Sequence, residues 1–412
     1  MRVIQNTIAL LIAFLIFEGC NTIDKVSPQD RNTFIKFYGG TDGNEADDFA
    51  PTSDGGYILL GKTLRDGKKF LDLIKTDARG NIEFYNQMKW VSGNAILPVS
   101  DGYLIIGDSI KQLPGGKTLT SILLMKTDLS GNHVFSFTYG DPLINHQGKA
   151  LTIDQNGDVI LLGIRQSGID QDQSLVMKVS LSDLSVPQWV QTYGLLDRDY
   201  EVTPHIIEDP GGHFVWASSA IKVIDTNAET YDDIVDSYIT IDVVNANSEH
   251  INQQKIGDIV PANYFVKDIH KGSYGYTIAG ITNDTDAGDR DLFFCRLDNF
   301  GNLIAGTEKK YGYTGDDEGL SLTYTQDGGY LIFASMTTTL EEGNGGKDIY
   351  LAKVDPFGDL EWENLIGGSG DESGRAVIQT KDGGYILFGT QSYQGASMMF
   401  LVKTNKEGQL IE

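Results

Sequence analysis

Short apolar runs separated by glycine-rich turns recur along the chain after residue 32. The clearest example reads Asp54-Gly55-Gly56-Tyr57-Ile58-Leu59-Leu60-Gly61, a turn followed by a strand with apolar side chains on both faces. Close copies begin at Asp101, Asp327 and Asp382, and looser copies begin at Asn156, Gly211 and Gly275. Seven copies of one unit therefore indicate a repeat architecture.

The spacing of the repeat selects the fold. The aligned positions are 57, 103, 159, 214, 276, 330 and 385, which places successive copies 46 to 62 residues apart. This interval suits one four-stranded blade, and no segment shows the sustained 3.6-residue apolar period that a helical solenoid requires. The sequence predicts an all-β, seven-bladed β-propeller.

Each unit continues with a strand that ends in a basic residue and a turn. Lys353-Val354-Asp355-Pro356-Phe357-Gly358 is typical, because the aspartate caps its own backbone and glycine accepts the positive φ that reverses the chain. A further strand carries an aromatic residue five positions before a glycine, as in Phe135 to Gly140, Trp189 to Gly194 and Trp362 to Gly367.

The two ends of the chain complement each other. The last unit stops just after its turn, at Gly408 to Glu412, and lacks its final strand. Residues 33–40 supply such a strand, with Phe34 five residues before Gly39. We expect this N-terminal strand to complete the last blade and to clasp the ring, which pairs otherwise free edges.

The Lys-x-Asp-x-x-Gly-x-x-x-Trp-x-x-x-x-Gly pattern, complete from Lys353 to Gly367, resembles the repeat of tryptophan-docked, quinoprotein-like propellers. Still more similar are bacterial envelope lipoprotein propellers with Asp-Gly-Gly-Tyr repeats. The resemblance covers residues 33–412 and implies the fold, whereas propellers host many activities. The docking position is a tryptophan at Trp189 and Trp362 and a phenylalanine at Phe34, Phe84 and Phe135.

The N-terminus predicts export and anchoring. Arg2 precedes an apolar run, Ile8 to Phe17, that is too short to span a bilayer. Gly19-Cys20 follows, which resembles a lipoprotein signal whose cysteine is lipidated; an ordinary signal peptide is the alternative. We therefore expect a signal peptide at 1–19, the lipidated Cys20 and a tether at 20–32, a propeller at 33–412, and an outer-membrane location in the cell envelope.

Charge narrows the partners. The net charge is −25, so binding to nucleic acid is not expected. The second cysteine, Cys295, lies in an apolar strand and reads as a small buried hydrophobe.

Strand polarity places the variable, acidic loops on one face, here called the loop face, and the regular Asp/Gly turns on the opposite, turn face. The loop face is the expected site for an envelope protein or glycan. The candidate binding residues there are Asp42, Asp47, Asp316, Asp317 and Asp371, with the aromatic residues Tyr231, Tyr238, Tyr313 and Tyr393.

One acidic loop suggests a cation. Asp284, Asp286 and Asp289 form the densest cluster, but the glycine of an EF-hand is one position out of place, so weak Ca²⁺ binding competes with a merely solvated loop. We expect no other cofactor.

No catalytic pattern emerges. The six histidines are scattered, and nucleophile elbows, phosphate loops and Cys/His metal patterns are absent from the sequence. A non-catalytic binding or scaffolding protein is the leading hypothesis, and a carbohydrate-binding or carbohydrate-hydrolysing propeller is the alternative.

Overall fold

The protein is described here from a computed structural model, which describes residues 33–40, 42–89, 91–166, 172–195, 197–223, 234–257, 263–272, 275–283, 290–312, 318–338 and 346–410. These residues form an all-β structure, as the repeat predicts. They contain no helix long and apolar enough to cross a membrane.

The strands follow one another in antiparallel groups. In chain order they are Phe34–Tyr38, Gly43–Pro51, Tyr57–Arg65, Lys68–Thr76 and Ile82–Lys89 (β1–β5); Val91–Val99, Gly102–Gln112, Thr118–Thr127 and His133–Tyr139 (β6–β9); Asn145–Ile153, Val159–Gln166, Asp172–Val179 and Trp189–Tyr193 (β10–β13); Asp199–Val202, Ile207–Glu208, Phe214–Val223, Ile234–Val244 and His250–Ile256 (β14–β18); Tyr264–Gly272, Gly275–Thr282, Asp291–Leu297 and Lys309–Tyr311 (β19–β22); Glu318–Tyr324, Tyr330–Thr338, Gly346–Val354 and Leu360–Ile366 (β23–β26); and Asp371–Gln379, Tyr385–Tyr393 and Ala396–Thr404 (β27–β29).

Most groups are independent four-stranded sheets, and β14 and β15 share one edge of a five-stranded sheet. The first and last groups are joined. A single parallel pair, Gly43 with Ser397, links β2 to β29, and β1 pairs antiparallel with β29 from Phe34–Lys403 to Tyr38–Met399. These two groups therefore form one eight-stranded sheet.

The Asp-Gly-Gly-Tyr turns, with the shorter Asp-Gly-Tyr turn at Asp101, lead into the strands β3, β7, β24 and β28. Lys75 at the end of β4 reaches back to Asp54 of its own turn at 2.8 Å. The same lysine–aspartate pair recurs at Lys126–Asp101, Lys353–Asp327 and Lys403–Asp382. Lys178 instead pairs with Asp154, which lies earlier in its turn. The tyrosine of the motif is buried under the sheet, as for Tyr57 and Tyr385.

The outermost strand of each group docks on the Asp/Gly turn of the next group. Its tyrosine or asparagine donates a hydrogen bond to a turn carbonyl: Tyr38 to Gly80, Asn86 to Gly131, Tyr139 to Leu184, Tyr193 to Ser248, Asn252 to Phe300, Tyr311 to Gly358 and Asn364 to Glu407. Aromatic rings cover the same turns, and the Trp362 ring lies against Gly408 where a Cβ would clash, at 2.6 Å.

The hydrophobic core lies between successive sheets. One buried cluster joins Ile281 and Phe294 of β20 and β21 to Ile332 and Tyr350 of β24 and β25. Cys295 of β21 is a free, fully buried thiol, as expected, and burial raises its pKa. Each sheet thus presents apolar side chains to both neighbours, which explains the continuous apolar runs in the sequence.

The recurrent ion pairs differ in burial, which makes a matched stability test. Both Lys178 and Asp154 are buried, whereas Asp101 beside Lys126 is 69% exposed. We expect Lys178→Met to cost about 3 kcal/mol of unfolding free energy, because it leaves a buried carboxylate unpaired. Lys126→Met should cost at most about 1 kcal/mol, since solvent screens that pair. Urea unfolding measures both, and equal losses would contradict this account.

Candidate functional site

The loop face carries an exposed patch where the first and last groups meet, here called the seam patch: Asp42, Leu64, Arg65, Asp371 and Tyr393. Gly43 pairs with both Leu64 and Ser397, and Asp371 lies opposite Ser392, so these residues lie at the same end of neighbouring strands in the eight-stranded sheet. Leu64 and Tyr393 are about half exposed, at 53% and 51%.

Two of the acidic residues predicted to bind a partner, Asp42 and Asp371, already accept hydrogen bonds within the protein. Asp42 accepts a hydrogen bond from Arg65 Nε at 2.6 Å, and Asp371 accepts one from the Lys347 backbone at 3.1 Å. Asp47 does not lie in a loop, because residues 43–51 form the innermost strand β2. Its carboxylate is buried beside Lys62, at 3.3 Å, and burial raises its pKa to about 6.

The two described tyrosines that were predicted to bind a partner, Tyr238 and Tyr393, differ in exposure. Tyr393 is exposed, whereas Tyr238 is 1% exposed and packs on Tyr200 and Ala220, so the expectation that Tyr238 forms a surface platform is wrong. Several predicted residues lie outside the described residues: Cys20, Tyr231, Tyr313, Asp316, Asp317, Asp284, Asp286 and Asp289.

The aspartates of the Asp/Gly turns serve the backbone. Asp77 Oδ1 accepts hydrogen bonds from the N–H groups of Arg79 and Asn81, both at 2.8 Å. Asp128, Asp298 and Asp355 do the same in their turns. Much of the acidic composition is therefore structural, as the turn chemistry predicts.

A second constellation, the axial cluster, gathers side chains from the innermost strands of different groups: Asp48, His205, Asp268, His270 and Arg375. His205 lies in the break between β14 and β15, and its Nδ1 is 2.7 Å from Asp268 Oδ1. The rings of His205 and His270 meet edge to face with centroids 4.7 Å apart. His205 also interacts electrostatically with Asp48 of β2 and Arg375 of β27.

The carboxylates of the axial cluster are held by neighbouring backbone. Asp48 Oδ2 accepts the N–H of Ile96 at 2.8 Å, and Asp268 Oδ2 accepts the N–H of Leu322 at 2.9 Å. Burial raises the pKa of Asp48, although the Ile96 N–H opposes the shift. Burial acts in the same sense on Asp268, but His205 and His270 outweigh it and hold its pKa well below the usual range.

An acid pair lies at the loop face between two sheets. Asp172 begins β12 and Asp199 begins β14, and the Asp172 N–H donates to Asp199 Oδ1 at 3.0 Å. Burial, with Asp199 nearby, raises the pKa of Asp172 to about 6, although Gln166 opposes the shift. Two adjacent carboxylates of this kind suit a basic or cationic group.

The solved structures similar to this chain include a protein of unknown function from Dyadobacter fermentans, with 9% identity over 90% of this chain and 98% of that one and a TM-score of 0.52. The β-propeller domain of the trilobed protease from Pyrococcus furiosus is similar at 10% identity, over 92% and 97%, with a TM-score of 0.50. The α-L-arabinanase from Penicillium chrysogenum is similar at 10% identity, over 92% of this chain and 99% of the arabinanase chain, with a TM-score of 0.47. No family model and no curated protein matches the chain.

The fold is a β-propeller. The first strands of propeller blades surround a central channel, which accounts for the meeting of Asp48, His205 and Arg375 from distant parts of the chain. Such low identities carry the propeller fold alone, so function rests on the residues described above.

Sequence reasoning missed the axial cluster of this propeller. It treated the histidines as scattered, although Asp268 and His270 are two residues apart on one strand and therefore share its face. This spacing of Asp268 and His270 could have indicated a shared site. Nothing in the sequence indicated His205, because only the tertiary fold brings it next to Asp268.

The raised pKa of Asp172 predicts a pH dependence of stability opposite to that of a turn aspartate such as Asp128. Because the pKa of Asp172 is raised in the folded state, its ionisation costs stability as the pH rises from about 4 to about 6. Asp172→Asn should therefore be more stable than the parent protein at pH 7, with the advantage gone near pH 4.

Asp128 is the matched control, because its hydrogen bonds to Asn132 lower its pKa. Asp128→Asn should be less stable at pH 7, and this deficit should begin to shrink as the pH falls below about 4. Thermal melts between pH 3.5 and 7.5 measure both variants. The same sign for the two would refute the assignment.

Proposed function

We propose that the chain is a lipid-anchored, non-catalytic binding or scaffolding protein of the bacterial cell envelope that engages a partner on the loop face. The seam patch carries this proposal. Leu64 and Tyr393 expose apolar surface beside the Asp42–Arg65 ion pair, and such a combination is typical of protein interfaces.

The described carboxylates favour binding over hydrolysis. Asp268 and Asp48 are committed to backbone N–H groups of the next sheet, and the turn aspartates are committed to their own turns. A glycoside hydrolase needs one carboxyl as proton donor and another as base or nucleophile. The acid pair at Asp172 and the buried Asp47, whose pKa burial raises to about 6, are exceptions, and Asp199 in the acid pair already accepts a backbone N–H.

The anchor would orient the loop face away from the membrane. Cys20 is the proposed lipidated residue, and the tether would reach β1 at Phe34. That end of β1 lies by the Asp/Gly turns, because Lys36 Nζ donates to Asn81 Oδ1 at 3.0 Å. The tether would therefore emerge on the turn face, and the seam patch would lie opposite.

We further propose that the propeller has seven blades and that β1 is its clasp. The docking hydrogen bonds support this, since Asn364 reaches the last turn through Glu407 and Tyr38 reaches the first through Gly80. The β1–β29 pairing would then join the two chain ends within one blade. The similar protease propeller is described as having an open velcro topology, so a clasp distinguishes this chain from it.

The clasp makes a stability prediction. Deleting residues 1–39 should lower the unfolding free energy by at least about 3 kcal/mol, because Tyr38 is buried and its hydrogen bond is lost. Amide exchange in β29 should accelerate as its edge becomes free. A truncation of residues 1–32 is the control and should match the parent protein. Unchanged exchange in β29 after the longer deletion would contradict the clasp.

Binding at the seam patch is tested by crosslinking on intact cells, followed by capture of the tagged chain and mass spectrometry. A dominant protein partner should be recovered from the parent protein. Leu64→Asp with Tyr393→Ala should reduce its yield at least tenfold, because burying Leu64 and Tyr393 supplies contact energy of about 3 kcal/mol.

The matched control changes two apolar residues on the turn face that are at least as exposed as Leu64 and Tyr393. Leu129→Asp with Phe300→Ala should leave the yield unchanged, since both residues lie in Asp/Gly turns, at 55% and 72% exposure. Equal loss in both variants would move the interface away from the seam patch. Recovery of no protein partner would overturn the scaffolding proposal and favour a glycan ligand.

A further inference from the structure

The histidines of the axial cluster meet around one buried carboxylate. His205 comes from the break between β14 and β15, and Asp268 and His270 come from one face of β19. One potential ligand atom from each lies within 4.8 Å of the other two. We propose that His205, Asp268 and His270 bind a divalent cation of the zinc class in the central channel.

The distances suit such an ion. Zinc bonds of about 2.0–2.1 Å in a tetrahedral arrangement place neighbouring ligand atoms about 3.3 Å apart. His270 Nε2 already lies 3.3 Å from Asp268 Oδ2. His205 Nδ1 lies 2.7 Å from Asp268 Oδ1, so the entry of an ion requires this pair to separate by about 0.6 Å.

The Nε2 atom of His270 is buried. Its contact with Asp268 Oδ2, at 3.3 Å, lacks the geometry of a hydrogen bond, and it makes no hydrogen bond to any other residue that the structure describes. Buried polar nitrogens normally have a partner, and a bound ion would provide one. The remaining coordination position would open into the channel, as in three-ligand zinc sites.

The carboxylate is already positioned by other groups. Asp268 Oδ1 accepts the N–H of Ile269 at 2.8 Å, and its Oδ2 accepts the N–H of Leu322 at 2.9 Å and the hydroxyl of Ser321 at 3.2 Å. These bonds fix its orientation, which is the role of supporting hydrogen bonds around a metal ligand.

The donor atoms of the cluster also suit a zinc-class ion. Asp48 and Asp268 bring two carboxyl groups to the cluster, against the single guanidinium of Arg375. Imidazole nitrogens select zinc-class ions over Ca²⁺, which prefers oxygen ligands. The site is therefore chemically distinct from the acidic loop at Asp284.

Zinc titration of the chelator-treated full chain by calorimetry tests the site. The parent protein should take up one Zn²⁺, and His205→Ala and His270→Ala should each weaken binding at least 100-fold, because each removes a direct ligand. His213→Ala is the matched control, since His213 contacts Asp209 at 3.0 Å but has no third metal-ligating side chain beside it in the part of the chain that the structure describes. The control should bind like the parent protein.

X-ray absorption of the zinc-loaded parent protein keeps the test decisive if a variant fails to fold. It should show two imidazoles and one carboxylate oxygen at about 2.0–2.2 Å. Absence of zinc uptake, retention of full affinity in both histidine variants, or an all-oxygen shell would each overturn the proposal.

Discussion

The docking of each outermost strand on the Asp/Gly turn of the next group is the contact on which the rest of the structure depends. A four-stranded sheet with two apolar faces cannot be stable alone, since both faces need cover. Tyr38, Asn86 and Trp362 fix where each sheet meets the next, and their partners are turn carbonyls and glycines. Correct turn geometry is therefore a condition for correct packing between sheets.

This dependence explains why so many acidic residues have no bearing on function. Asp77 holds its turn, and Asp54 neutralises Lys75 at the end of the neighbouring strand. The contacts of these aspartates are sufficient to account for their presence without a ligand. What remains for function is the smaller set outside the repeat: the seam patch, the acid pair and the axial cluster.

The sequence was sufficient for the strands because the repeat signals are local. Tyr57 and Tyr385 begin strands where the Asp-Gly-Gly-Tyr motif places them. Contacts between segments distant in the chain could not be predicted from these local signals. Asp47 was assigned to a loop because its neighbours are polar, yet it lies in the innermost strand β2, with its carboxylate buried beside Lys62. Tyr238 adjoins a long variable segment, but it is covered by Tyr200 of the preceding edge strand.

The candidate metal ligands lie where the repeat is least regular. In the sheet of β14–β18 the innermost strand is divided into β14 and β15. Val243 of β17 stands where the corresponding strands of the other sheets have a basic residue. Asp209 pairs with His213 instead of a lysine. The next sheet, β19–β22, begins its second strand at Gly275 without the aspartate turn. Departures from a repeat cost stability unless they are compensated, and functional sites are where such costs are commonly retained. His205 occupies the break between β14 and β15, and His270 faces it from β19, so these two irregular sheets together supply both histidines of the axial cluster.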